Sequence, residues 1–305
     1  MKKNRINMAM RSLVALLFVV LSINIFGSEY DEWYDSRGWW NISWKDTKTG
    51  ITYQAKATYS FGNYTYSEDC YASISSDGIN KEIVDFEPLS EVSFPAIKDG
   101  EGNITKYTKV PVNRIMGTIS GDNIKSISFP ESIVYFGNFN GVELRIECDN
   151  LQTIKFGDNN KIKDADNFCV SITSKYLESL IIPDGVKGLG YSTGGLDLHC
   201  PALKTVTIPK SVKLAGGEET PNGPTYSGAL GSNCPNLETI CFNDDVTTIP
   251  SLFGCCFNLK NIEWPSKVEK IEDYAFLGCT GLQSVKFPKT LNAIGRGALF
   301  FLQMK

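Results

Sequence analysis

Residues 259–288 read LKNIEWPSKVEKIEDYAFLGCTGLQSVKFP and contain one short pattern twice. The pattern is apolar-x-x-apolar-x-aromatic-Pro, and it begins at Leu259 and again at Leu282. Side chains alternate between the two faces of a β-strand, so the second and third apolar residues point the same way. The proline ends the strand because it has no N–H to donate. The stretch therefore predicts a repeated strand-and-turn unit.

The same pattern recurs towards the N-terminus. Further copies begin at Leu237, Leu203, Leu177, Leu151 and Ile124, and a more distant one begins at Leu89. Burying three apolar side chains cannot offset the entropy lost in ordering a whole unit, so one unit alone does not fold. Repetition at this period predicts a solenoid, in which each coil stacks on its neighbours.

Five of the nine cysteines stand three residues before the leading residue of their own repeat. Stacked coils place such positions about 4.7–4.9 Å apart, which a disulfide can span by distance alone. Stacked side chains point the same way, however, and that orientation disfavours the disulfide geometry. We therefore expect a ladder of inward-facing thiols, with disulfides as the alternative, at Cys148, Cys200, Cys234, Cys256 and Cys279.

Residues 266–288 resemble the BspA-like leucine-rich-repeat family, whose members are surface and secreted proteins of Bacteroidetes and some mucosal protists. The resemblance rests on SKVEKIEDYAFLGC, on Leu282 and on Pro288, and it weakens in the middle repeats, which lack the Ala-Phe pair. It covers roughly residues 89–300. It implies a binding or adhesion role and names no ligand. The expected fold is mainly β (α/β by leucine-rich-repeat convention): a curved solenoid with parallel strands on its concave face, after a small antiparallel β-rich cap.

Two columns of outward residues should run along the concave strands. Small hydroxyl and amide residues dominate the first column, and cross-strand packing of serine and threonine explains such a column equally well. The first column is Glu91, Ser126, Thr153, Ser179, Thr205, Thr239, Asn261 and Ser284; the second is Ser93, Ser128, Lys155, Ile181, Thr207, Cys241, Glu263 and Lys286. The candidate ligand-binding residues are Ser179, Thr205, Thr207, Thr239, Cys241, Asn261, Glu263, Ser284 and Lys286.

The N-terminus has the form of a signal peptide. Four basic residues precede an apolar run from Leu13 to Phe26. This run is shorter than the about 20 residues that a helix needs to span a bilayer. Cleavage after Gly27 would leave an exported chain, secreted or at the cell surface or in the periplasm, with no integral membrane span. An uncleaved membrane anchor is the alternative.

Residues 28–88 form a separate aromatic-rich segment, and the solenoid should occupy residues 89–305 with an incomplete last repeat. Trp33, Trp39, Trp40 and Trp44 crowd together, and turns are expected at residues 48–50 and 62–63. The segment is interpreted as a β-rich cap that closes the first coil. The alternative is an aromatic platform for sugars.

The sequence predicts neither catalysis nor a cofactor or metal site. His199 is the only histidine, so a histidine-based mechanism or a zinc site has too few ligands. A net charge of −4 disfavours nucleic acid as a partner. The expected function is recognition or adhesion through a protein or glycan ligand, such as a host surface or matrix component. The alternative is a carboxylate-based glycan hydrolase with Asp31, Glu32 and Asp35 beside the tryptophans.

The C-terminal residues Phe300, Phe301 and Leu302 form an apolar cluster where the last repeat breaks off. An open last coil exposes apolar surface and unpaired strand edges. The cluster is expected either to fold back as a plug or to join two chains end to end as a homodimer.

Overall fold

The structure is a computed structural model, and it describes residues 30–35, 39–75, 79–137, 143–157, 168–186, 188–189, 196–212, 214–215, 219–220, 223–224, 230 and 233–300. Within these residues the chain forms β-strands and turns and contains no α-helix. The expected signal peptide and the residues Phe301 and Leu302 lie outside this described part. The Phe300 side chain is 58% exposed.

An antiparallel meander opens the fold. Its four strands are β1 (Tyr30–Tyr34), β2 (Trp40–Lys45), β3 (Thr52–Ser60) and β4 (Asn63–Ile74), paired in chain order. In β3, Tyr53, Ala55 and Ala57 are buried and alternate with less buried polar residues, as a strand with one covered face requires. Phe61 and Gly62 both have positive φ and make the tight turn between β3 and β4.

The expected repeat at Leu89 is part of this antiparallel sheet. Strand β6 (Glu91–Lys98) pairs antiparallel with the first half of β7 (Ile104–Ser120), and Leu89 itself is 38% exposed. Val92, Phe94 and Ala96 alternate inward, so the repeat spacing is satisfied by an ordinary two-faced strand. The first strand of the repeat ladder is instead β5 (Asp85–Phe86), which pairs parallel with β8 (Ser126–Phe129).

The predicted repeat strands stack in parallel and in register. Strands β5, β8 and β11 (Thr153–Phe156) form one sheet, and a second sheet continues the ladder. Its strands are β13 (Ser179–Ile181), β16 (Thr205–Ile208), β20 (Thr239–Phe242) and β22 (Asn261–Glu263). The mainly β, parallel architecture predicted from the repeats is confirmed.

Each coil carries further strands on its other sides. Two-residue strands follow the proline position of the repeat pattern, namely β9 (Tyr135–Phe136), β14 (Gly188–Leu189), β17 (Leu214–Ala215), β21 (Thr248–Ile249), β23 (Lys270–Ile271) and β24 (Ala293–Ile294). Before the cysteine position come β10 (Leu144–Glu147), β12 (Val170–Thr173) and β15 (Leu196–His199). The remaining strands, β18 (Glu219–Thr220) and β19 (Gly223–Pro224), form a small antiparallel pair.

Two kinds of coil therefore share one ladder. Three coils without the Ala-Phe pair use β10, β12 and β15, whereas the coils of Phe253 and Phe276 make turns at this position. The turn-type coils need positive φ at Cys255, Tyr274 and Gly278. Phe276 packs inside and its ring stacks on that of Phe253 at 5.4 Å between centroids. A buried aromatic ring thus fills the interior that strand side chains fill in the other coils.

Strand β7 joins the meander to the solenoid. Its first half pairs with β6, and its second half pairs parallel with both β4 and β10. The meander and the strands β10, β12 and β15 consequently form one continuous sheet. Gly117 lies at the closest point of this junction, opposite Ile74 on one side and Leu144 on the other.

Candidate ligand-binding face

The structure brings most of the predicted binding residues together on one sheet. Ser179, Thr205, Thr239 and Asn261 are direct neighbours across β13, β16, β20 and β22. Between this row and the next lie inward residues such as Leu180 and Ile240, which are buried. The second row consists of Ile181, Thr207, Cys241 and Glu263. We call these eight outward residues the repeat face.

The ends of the predicted columns differ from the expectation. Glu91 and Ser93 lie on the antiparallel strand β6 and are absent from the parallel ladder. Ser284 and Lys286 are exposed but follow Leu282 in a segment without strand structure. The Val285 and Phe287 side chains between and beside them are only partly buried. The last repeat therefore stacks less closely than the spacing predicts.

The repeat face combines an apolar residue with polar ones. Ile181 is 72% exposed, and its strand β13 lies at one edge of this four-stranded sheet. Thr207 lies beside Ile181, and Cys241 and Glu263 follow in the same row. Burial, and then the neighbouring Glu263 carboxylate, raise the pKa of the Cys241 thiol to about 11. Cys241 is consequently a protonated side chain at neutral pH and a weak nucleophile.

A row of alternating charges borders the repeat face. The Lys204 Nζ atom lies 2.8 Å from a Glu178 carboxylate oxygen, and Lys260 Nζ lies 3.0 Å from Glu238. These residues directly follow the leading leucine of successive coils. Exposed pairs of this kind stabilise by only about 0–1 kcal/mol each. Their alternation nevertheless disfavours a shifted stacking that would place like charges opposite each other.

A second polar face was missed by the sequence analysis. Strands β10, β12 and β15 place Arg145, Ser171 and Asp197 in one outward row. The neighbouring row includes Thr173 and the exposed His199, whose Nε2 atom lies 2.9 Å from the Asp197 carboxylate. The signal for these strands was the alternation of apolar and polar residues in LRIE, VSIT and LDLH.

The five aligned cysteines are buried and form no disulfide in the structure. Four of the thiols donate to a backbone carbonyl of the preceding coil, at sulfur-to-oxygen distances of 3.0–3.9 Å: Cys148 to Ile119, Cys200 to Ile172, Cys234 to Leu198, and Cys279 to Phe253. Cys70, which is not one of the aligned cysteines, is also buried. The redox state of the aligned cysteines in solution stays a prediction.

Ser174 occupies the cysteine position of a coil that has no cysteine there. Its buried hydroxyl donates to the Leu151 carbonyl at 2.7 Å and accepts from the backbone N–H groups of Tyr176 and Leu177. The sequence signal was available, because Ser174 stands three residues before the leading Leu177.

We predict that Ser174→Ala lowers the free energy of unfolding by about 1–3 kcal/mol, because it leaves buried backbone groups without a partner. Ser174→Cys should cost less, since a thiol serves the other coils in the same place. Urea unfolding of both variants measures the difference. A larger loss for the cysteine variant than for the alanine variant would contradict the assigned role.

The buried thiols of the aligned cysteines should also make the free energy of unfolding depend on pH. Burial raises the pKa of Cys148 and Cys200 to about 12, from an ordinary value of 9.0. The fold thus favours the protonated thiol, so its contribution is complete below about pH 9 and is lost as the pH rises towards 12. We expect a lower urea midpoint at pH 10.5 than at pH 8, and a smaller drop in the double variant Cys148→Ala, Cys200→Ala. An equal drop in both proteins would assign the effect to other groups.

The acidic residues near the tryptophans make structural contacts. Asp31 and Glu32 are consecutive on β1 and so lie on opposite faces of the strand. Glu32 accepts a hydrogen bond from the Tyr64 hydroxyl at 2.9 Å and forms an ion pair with Lys98 at 2.7 Å. Asp35 accepts from the Trp39 backbone N–H. These contacts hold the meander together.

The described residues contain no group of three or more His, Cys, Asp or Glu side chains placed to hold a metal ion. They also contain no helix that is long and apolar enough to cross a membrane.

Solved structures show only a distant likeness to this chain. A leucine-rich repeat protein from T. pallidum is 17% identical with a TM-score of 0.39, over 70% of this chain and 83% of that one. A leucine-rich cell surface protein from Faecalibacterium prausnitzii is 14% identical with a TM-score of 0.23, over 86% and 87%. A leucine-rich repeat protein from Bacteroides ovatus is 12% identical with a TM-score of 0.28, over 80% and 91%. No curated protein matches the sequence.

A family model gives the decisive comparison. The model described as the BspA type leucine rich repeat region matches residues 118–218 and 230–305, in six copies. The matched residues include the ladder from β8 to β24 and begin after the antiparallel strand β6. They make up more than half of the chain. The chain therefore belongs to the BspA-type leucine-rich repeat family.

Proposed function

We propose that this protein is a non-enzymatic recognition or adhesion protein that acts outside the cell or at its surface. Its ligand is a protein or a glycan, such as a host surface or matrix component, and the repeat face is the binding site. The main support for this proposal is the pair of outward rows, in register, on β13, β16, β20 and β22.

The chemistry of the repeat face supports this proposal. Ile181 is a large, exposed aliphatic side chain, and binding surfaces draw most of their energy from a few such anchors. Thr207 lies directly beside Ile181, and the hydroxyl groups of Thr205 and Thr239 add donors and acceptors in the neighbouring row. The backbone beneath is held by parallel pairing to neighbouring coils, so little conformational entropy is lost on binding.

The proposed location rests on the sequence. A basic start followed by a fourteen-residue apolar run from Leu13 to Phe26 is typical of a signal peptide. An N-terminal sequence of the mature protein tests it directly. A protein that begins at Ser28 supports export with cleavage, and one that retains the apolar run contradicts cleavage.

The repeat face is tested with two matched pairs of substitutions to arginine. We expect Ile181→Arg with Thr207→Arg to abolish capture on arrays of extracellular matrix proteins and glycans. The control is Ser171→Arg with Thr173→Arg, on the outward side of β12, which should bind like the unmodified protein. Equal losses in both variants, or no capture by the unmodified protein, would contradict the repeat face as the site. Cleavage of an array glycan would contradict the absence of catalysis.

A further inference from the structure

One step between neighbouring coils lacks the backbone hydrogen bonds that close most of the others. At a regular step, the two residues after the leading residue both donate their backbone N–H to one carbonyl of the preceding coil. Lys204 and Thr205, for example, both donate to the Glu178 carbonyl, at 2.8 and 3.2 Å. The coils that follow this pattern are those that begin at Ile124, Leu151, Leu203, Leu237 and Leu259.

The step from the coil of Leu151 to the coil of Leu177 differs from this pattern. Among the described residues no backbone hydrogen bond joins β11 to β13, and the ladder divides there into two sheets. Ile154 of β11 is 8% exposed, whereas the equivalent Ile127 of β8 is 1% exposed. The step to the last coil, which begins at Leu282, also lacks these bonds, but it lies at the end of the ladder. The solenoid is therefore less closely stacked at one internal step.

A second bridge between coils is missing at the same step. In four coils the residue before the leading one is an asparagine, whose side-chain amide donates to a backbone carbonyl of the preceding coil at 2.7–2.8 Å. These residues are Asn123, Asn150, Asn236 and Asn258. Tyr176 occupies this place in the coil of Leu177 and is 57% exposed. The amide bridge is therefore absent from the step that also lacks backbone pairing.

The opposite side of this step is closed. Strands β10 and β12 pair there over four residues, in register. At the adjoining corner, the Ser174 hydroxyl donates to the Leu151 carbonyl at 2.7 Å, and the Lys175 backbone N–H donates to the Asp149 carbonyl at 3.0 Å. Two packed units that are joined along one side and separated along the other have the arrangement of a hinge.

We propose that the solenoid bends at this step, with its pivot along β10 and β12 and its opening between β11 and β13. Openings of low free energy are expected where few backbone hydrogen bonds close a structure. The repeat face lies on the C-terminal side of the hinge, whereas the outward residues of β8 and β11 lie on the N-terminal side. Bending therefore changes the angle between these two surfaces. The hinge does not depend on whether the repeat face binds a ligand, so it goes beyond the function proposed above.

Hydrogen exchange of the full chain, followed residue by residue by NMR, tests the opening. After correction for intrinsic rates, the backbone amides of Glu178 and Ser179 should exchange at least about a hundredfold faster than those of Lys204 and Thr205. The second pair occupies the same places in the next coil, where both amides donate to a carbonyl. Equal exchange rates for the two pairs would show that the ladder is closed in solution and would overturn the hinge.

Pulsed EPR measures the bending itself. Nitroxide labels replace the exposed residues Lys106 and Lys260, one on each side of the hinge, and are carried on p-acetylphenylalanine so that the nine cysteines stay unmodified. Tyr176→Asn should narrow the distribution of label distances by about twofold, because the new amide can donate to the Asp149 carbonyl across the open step. Ala202→Asn is the matched control, since it adds the same amide at a step that the ladder already closes, and it should leave the width unchanged. A distribution that is equally narrow before and after Tyr176→Asn, or equal narrowing by both variants, would overturn the hinge.

Discussion

Gly117→Ala should lower the free energy of unfolding by roughly 3–5 kcal/mol, because the added methyl group has no space. An ideal Cβ atom at this position would lie 2.0 Å from the Ile74 carbonyl oxygen, and the φ of Gly117 is +101°. Strand β4 would have to move away from β7, and the junction between the meander and the solenoid would open.

The matched control is Gly100→Ala in the turn between β6 and β7. A Cβ atom there meets nothing within 4 Å, so its free energy of unfolding should stay within about ±0.5 kcal/mol. Denaturant unfolding followed by circular dichroism compares the two variants, and limited proteolysis shows whether the meander is released first. Similar midpoints for both would mean that β4 and β7 do not meet at Gly117.

Leu259→Ala should lower the free energy of unfolding by about 2–5 kcal/mol, as other buried leucine truncations do. Leu259 is fully buried and lies in the column of leading leucines with Leu237 and Leu282. Removing its side chain leaves a cavity between two coils, and the surrounding residues relax only partly to fill it. Urea unfolding gives the value.

Lys260→Ala is the neighbouring control. Its exposed ion pair with Glu238 is a surface pair, so we expect a change within about ±0.5 kcal/mol. Ile262 is only partly buried, so Ile262→Ala should lower the free energy of unfolding by less than Leu259→Ala does. If Leu259→Ala and Lys260→Ala unfold at the same urea concentration, the inward and outward positions of this coil are misassigned.

The register of the repeat ladder was predictable because it follows from spacing. Once Leu203 and Leu237 occupy equivalent positions, Thr205 must lie opposite Thr239, and the structure pairs them so. A shift by one residue would turn every apolar side chain of the strand outward. The antiparallel meander was predictable for a related reason, since β3 alternates polar and apolar residues between turn signals.

The copy at Leu89 shows where spacing alone fails. Its apolar residues fit the repeat pattern, but β6 has a nearby antiparallel partner in β7, separated by a short turn. Local pairing through a short loop loses less entropy than stacking on a distant coil. Proline follows the strand in several other repeats, whereas β6 continues through Pro95. The pattern does not encode this competition.

The repeat face was also only partly predictable from the sequence. The two rows of the repeat face followed from the sequence, whereas the exposure of Ile181 became known only from the structure.

By itself, the sequence determined the repeat family, the parallel ladder and the inward column of cysteines, because each depends on a period that every coil must share. The tertiary structure alone decided where the ladder begins and which coils use a strand instead of turns before the cysteine position. These features depend on competition between partners distant in the chain, and that competition is decided by packing and by loop entropy together.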